Sequence, residues 1–251
     1  MMKRLILLTL ALLILALPAL AEPFPLVEDW SDTITVPYDE ADPGAGQYTY
    51  TYHYPHVDEN DPDAYLVNSF YEYAISDAEA FGVPILADYY VATGESVSTE
   101  ITYTLTCNND EYLSILLCTT DQLSDMTIHT WAGHSFSRSK GTPGSVLTLP
   151  QLLGILATDE SDTWLQERQT EKANALVRGL IREQMAENPN GIDFYEDFSA
   201  GDLETGFYPE EDFYLDENGD PVFFLQPGLA APEEEGLLTF PIPLDDILDE
   251  L

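Results

Sequence analysis

Four histidines, His53, His56, His129 and His134, are the first candidates for general bases or metal ligands in this chain. His53 and His56 straddle the bend Tyr54-Pro55, while His129 and His134 share one predicted strand. No pair has the four-residue helical spacing of a zinc protease and no cysteine lies near. They therefore read as packing or surface residues whose useful property is sensitivity to pH. Gly133-His134-Ser135 lacks the flanking glycines and the strand-to-helix turn of a nucleophile elbow. Asp216-Glu217-Asn218-Gly219-Asp220 superficially resembles a calcium loop, but its glycine comes fourth where the calcium pattern needs it sixth, and strands flank it. It reads as a hairpin turn. The 46 acidic residues permit many accidental carboxylate pairs, so a hydrolase built on such a pair is allowed but marked by nothing. No glycine-rich phosphate loop is present. These readings assign no catalytic residue, no metal site and no cofactor. What remains is Pro232-Glu233-Glu234-Glu235, a compact anionic turn between two strands. It is either a solvated loop or a contact point for a basic partner, and these four are the candidate binding residues.

The elements that must position these groups are legible from periodicity. Thr33–Val36 and Tyr48–Tyr54 read as strands, followed by a helix opened by Asp61, Pro62 and Asp63 and stopped by Gly82-Val83-Pro84. Val83–Val91, Val97–Cys107, Tyr112–Thr119 and Met126–Ser137 then read as a run of strands forming an antiparallel meander. Cys107 lies beside the turn Asn108-Asn109-Asp110 and Cys118 near the far end of the returning strand, roughly 15–20 Å away. A disulfide needs Cα atoms within about 7 Å, so two free thiols are expected. A short apolar helix is predicted over Gln151–Ala157. A long one follows, capped by Ser161 or Asp162 and stopped by Asn188-Pro189-Asn190-Gly191. Its Arg168, Lys172, Arg178 and Arg182 are expected to pair with neighbouring carboxylates. Asp212–Leu215, Val222–Leu225 and Gly236–Leu244 complete the strands, ahead of a short amphipathic tail. The fold class is α+β, with antiparallel sheet covered by two main helices.

Charge narrows the partner. The chain carries 8 basic and 46 acidic residues, a formal net charge of -38, and no lysine or arginine falls between Glu22 and Ser137 or after Arg182. Such a field repels nucleic acid and anionic membrane and attracts basic proteins. A hydrophobic content of 45% with 15 tyrosines and 11 phenylalanines places the chain among folded proteins, not acidic tails. Residues 1–21 read as a signal peptide: Lys3 and Arg4, the apolar run Leu5–Leu17, then Ala19-Leu20-Ala21. The run is shorter than the roughly 20 residues of a spanning helix, so export without a membrane anchor is expected, to the medium or the cell envelope.

Several segments together resemble the extracellular domain of the anti-sigma factor RsiV and its secreted relatives. Tyr54-Pro55-His56 and the helix holding Asn68 are similar to the accessory region also found ahead of PdaC-type peptidoglycan deacetylases. Leu113-Ser114-Ile115 resembles the family's central strand, and Gly144–Leu153 is similar to its Gly-x-x-Leu-Thr-Leu-x-Asp-Leu-Leu segment, with Gln151 in place of Asp. The closing run Phe194-Tyr195, Asp212–Leu215, Val222-Phe223-Phe224, Ala231-Pro232, Gly236 and Phe240–Leu244 carries most of the likeness. The resemblance implies an N-terminal β-α accessory region over 22–95 and an RsiV-like α+β domain over 96–251, packed as one body. It also implies a non-enzymatic binding protein, since RsiV senses lysozyme outside the cell. Two departures are plain. Only Trp131-Ala132-Gly133-His134 stands where the family has Gly-Gly-Ala-His, and Glu233 or Glu234 replaces the aromatic usual after Ala-Pro. The expected partner is a basic, lysozyme-like extracellular protein held electrostatically. The alternative is a cell-wall or carbohydrate-binding accessory module whose strand tyrosines stack sugars, and a carboxylate-dependent hydrolase is third.

Overall fold

The computed structural model describes residues 22–39, 42, 46–91, 94–156 and 163–251. The predicted leader and the predicted cap at Ser161 or Asp162 lie outside the described residues. Five strands, β1 (Trp30–Pro37), β2 (Gln47–Tyr54), β3 (Val97–Asn108), β4 (Tyr112–Gln122) and β5 (Thr127–Ser137), form one sheet in chain order. Three more, β6 (Phe213–Leu215), β7 (Pro221–Leu225) and β8 (Leu238–Pro241), form a second, antiparallel sheet. The α+β class holds. The meander holds for β3, β4 and β5, which are antiparallel in succession, but the sheet as a whole is mixed, because β2 and β3 run parallel, pairing Tyr48 with Val97 and Tyr52 with Ile101. Strands from both sides of residue 95 thus share a sheet.

The parallel pair follows from a second correction. Val83–Val91, expected as a strand, is helical: α1 (Tyr65–Asp77) passes through a π-turn (Ala78–Gly82) into α2 (Val83–Tyr90). Gly82 keeps helical dihedrals, and Pro84 falls in the first turn of the restarted helix, where its missing N–H is tolerated. The stop signal therefore marks a change of helical pitch. A helical connection of this length is what lets consecutive strands lie parallel. Nor do two helices account for the covering. Beside this run and α4 (Thr163–Glu187) stand the short α3 (Leu149–Leu152), α5 (Ala200–Gly206) and α6 (Leu244–Glu250). The predicted Gln151–Ala157 helix begins and ends earlier, with Thr148 and Gln151 forming a capping box.

Two hydrophobic clusters result, one on each face of β4. In the first, α1 and α2 place Leu66, Val67, Tyr71, Val83 and Ala87 over Tyr48, Tyr50, Tyr52, Tyr54, Ile101, Ile115 and Phe136. The alternation of Gln47–Tyr54 sends all four tyrosines inward, so those rings are core and are not presented to a sugar. The second cluster gathers Val177 and Ile181 of α4, Phe213, Leu215, Phe223 and Leu225 of the small sheet, and Ile247 of α6. Cys107 joins it because an extra residue between Leu105 and Cys107 shifts the β3–β4 register, turning Cys107 to the opposite face from the one it would otherwise share with Leu105. Both cysteines are free, as the hairpin spacing predicts.

The sheets meet at a polar seam. Ser114 Oγ accepts from the Leu215 N–H at 2.9 Å and lies 2.8 Å from Ser135 Oγ. Beside it, a Cβ on Gly133 would fall 1.7 Å from the carbonyl oxygen of Phe213, so only glycine admits β6 there. Arg138 supports the other side. It pairs with Asp61 at 3.4 Å and Asp63 at 2.5 Å, and its guanidinium stacks over Phe24. Among the described residues these are the only cation–carboxylate side-chain pairs within 4.0 Å. Among the described residues the expected pairing along the long helix is not seen. Lys172 instead donates to the backbone oxygens of Glu250 and Leu251, and Arg178 to that of Phe207. Cations of α4 therefore satisfy backbone oxygens at neighbouring elements, where orphaned acceptors would otherwise stand.

Candidate binding groove

The anionic turn is built outward from a buried anchor. Ala230 and Ala231 are buried, and Pro232, in extended conformation, carries the chain away from them. Glu233–Glu235 then make one 3-10 turn, closed by Glu235 N–H to Pro232 O at 3.0 Å and Gly236 N–H to Glu233 O at 2.9 Å. Gly236 adopts φ 70° and ψ -151°, a combination nearly confined to glycine, and so redirects the chain into β8. The three carboxylates are exposed. Pro232 positions the turn, and the glutamates face two different cavities. Glu233 and Glu234 line a groove of about 540 Å³, while Glu235 faces a separate pocket of about 130 Å³ beside Asn188, Ile192 and Phe194.

The opposite wall of the larger groove comes from the sheet. Cys118 pairs with Trp131, Thr120 with His129 and Gln122 with Thr127, so alternation puts Cys118, Thr120, Thr127, His129 and Trp131 on one face. His129 Nδ1 lies 3.1 Å from Thr120 Oγ1, which fixes the ring against the sheet. Burial raises the Cys118 thiol, with the Thr120 hydrogen bond opposing, which disfavours the nucleophilic thiolate. Gln226 braces the floor. Its Oε1 accepts from the Trp131 N–H at 3.0 Å and its Nε2 donates to the Trp131 carbonyl at 2.7 Å. A side-chain amide thus takes the place of a neighbouring strand for one residue.

The other candidates are dispersed. His134 lies between Phe70 and Tyr71, its Nδ1 3.1 Å from Tyr71 Oη, and burial pulls it down to about 4. It is neutral near pH 7 and does not switch there. His56 stacks on Trp30 with ring centroids 4.3 Å apart. Asp212 shares a cavity of about 340 Å³ with His134, and burial raises its carboxyl. Its Oδ2 nevertheless accepts the Tyr208 N–H at 2.7 Å, the position of a turn cap. Asp216 caps its own loop, accepting from Asn218 N–H at 2.8 Å and Asp220 N–H at 3.0 Å, as a hairpin turn requires. Among the described residues no cluster of three or more His, Cys, Asp or Glu side chains could hold a metal ion, and no helix is long and apolar enough to cross a membrane.

A mixed sheet, a small second sheet and an acidic turn facing a strand face define a domain with a groove open to solvent. Residues 165–245 match the family model described as "Protein of unknown function (DUF3298)", a segment that includes the anionic turn but not β4 or β5. The chain is similar in fold to a DUF3298-family protein of Bacteroides fragilis, with a TM-score of 0.52 and 14% identity over 89% of this chain and 92% of that one. A DUF3298-family protein of Pseudomonas aeruginosa aligns with a TM-score of 0.48 and 15% identity over 91% of this chain and 94% of that one. No curated protein matches the sequence.

Proposed function

We propose that the protein is an exported, non-enzymatic binding protein that captures a basic extracellular protein of the lysozyme kind. The observation that carries this is the placement of Glu233 and Glu234 on the rim of a groove whose opposite wall holds Trp131 and His129. An aromatic anchor beside exposed carboxylates suits a partner that presents lysine or arginine next to apolar surface. The net charge of -38 extends the attraction beyond the contact and speeds encounter. The resemblance of the closing strands to the lysozyme-sensing domain of RsiV supports the same class of partner. Glutamate in place of that family's aromatic makes the attachment more electrostatic and more sensitive to salt. Calorimetric titration with a basic lysozyme at low and moderate salt tests the reading. Binding that weakens at least tenfold with added salt is expected, and an absence of heat at both salt concentrations overturns it.

A further inference from the structure

Strand β5 is an edge strand, and half of that edge is open. Trp131 turns both its N–H and its C=O to Gln226, so these groups point away from β4. Antiparallel pairing alternates, so His129 and Thr127 must likewise direct their N–H and C=O outward, while Thr130 and Ile128 bond back to β4. The short Thr120–His129 side-chain contact agrees, because side chains approach closest in pairs that exchange no backbone bonds. Beyond Trp131 no turn, loop or side chain takes up the outward groups of His129 and Thr127 among the described residues, and Thr127–Thr130 are exposed. Open edges of this kind are usually blocked by charge or proline. The opposite edge, β1, has Asp32 drawing in the Thr33 N–H and ends in Pro37. Thr127–Thr130 carries neither device.

The open edge and the acidic groove are adjacent. Side chains of Thr127, His129 and Trp131 project into the groove, and Glu233 and Glu234 stand across from them. A strand added beside β5 would place every second side chain on that same face, within the carboxylate rim. We infer that the edge Thr127–Thr130 takes an extended segment of a basic partner by strand addition, with Gln226 ending the added strand and Glu233 and Glu234 receiving alternate lysine or arginine side chains. Backbone bonds supply affinity and the carboxylates supply selection, the division found where peptides join sheet edges. This rests on the reading that the groove takes a basic protein, and it specifies how.

The test uses an extended octapeptide alternating lysine and valine, with binding read from tryptophan fluorescence at low salt. Two further peptides carry N-methyl groups on one or the other set of alternate residues, keeping the charge unchanged. Only one set of amides in an added strand faces β5. Methylation of that set is expected to weaken binding at least tenfold, while methylation of the other set leaves it within twofold. Equal affinity of all three peptides, equal weakening by both methylated sets, or no binding by the parent peptide overturns strand addition. If that result accompanies heat with intact lysozyme, capture of a basic protein stands without it. If the tenfold asymmetry is seen but lysozyme gives no heat, strand addition stands and the partner is a different basic protein.

Discussion

His134 shows how little a residue's type says before its neighbours are known. A histidine on an alternating strand reads, from sequence, as sensitive to pH. Packing by Phe70 and Tyr71, more than sixty residues earlier, holds it neutral instead. Its folded value of about 4 lies below the ordinary 6.5, so between these limits the unfolded chain binds a proton that the native chain refuses. The stabilisation is complete above about pH 6.5 and is lost as pH falls, reaching about 2–3 kcal/mol by pH 4. His134→Gln removes that dependence. The difference in urea unfolding free energy between the two proteins should therefore shrink from pH 7 to pH 4.5, and a constant difference would refute the assignment. Gly133 teaches the converse. Its lack of a side chain is required by a backbone crossing eighty residues away, which no local pattern announces.

At the scale of elements, most strands were legible because their alternation is local, as in Gln47–Tyr54 and Val97–Asn108. Gly82-Val83-Pro84 reads as a stop because glycine and proline end helices when nothing else competes. Here the apolar Val83 and Ala87 are buried only if the helix continues, and that burial outweighs the local signal. The parallel pairing of β2 and β3 was lost with it. The anionic turn was visible in sequence, but its facing wall was not, since the Gln226–Trp131 clamp spans 95 residues. Gly236 joins the turn to β8. A Cβ there would meet nothing within 4 Å, so Gly236→Ala isolates the backbone cost. Unfolding in urea should show a loss of about 1–3 kcal/mol. Lysozyme affinity at low salt should also fall as Glu233 and Glu234 are re-aimed, whereas unchanged stability would mean that the dihedral is not enforced.

The whole molecule, built on two apolar clusters on opposite faces of β4, is uncommonly lopsided in charge. With Arg138 making the only cation–carboxylate side-chain pairs within 4.0 Å among the described residues, repulsion between the 46 acidic groups is relieved chiefly by solvent and counter-ions. Salt screens that repulsion over distances of about 10 Å at 0.1 M. The midpoint of thermal unfolding should rise on the order of 5 °C between 10 and 300 mM sodium chloride, while lysozyme binding weakens over the same range. The opposite signs separate self-repulsion from attraction to a partner. A midpoint that does not move would contradict the first.

The tyrosine row of β2 makes the interior its own optical reporter. Burial pushes Tyr48 up to about 12, and raises Tyr50, Tyr71 and Tyr103 as well. Unfolded phenols ionise near pH 10, so the native sheet retains protons that the open chain gives up. The associated stability is present below pH 10 and drains away as pH climbs. Near-ultraviolet absorbance in alkali thus reports on the interior without any added label. An abrupt rise marks the moment the sheet parts.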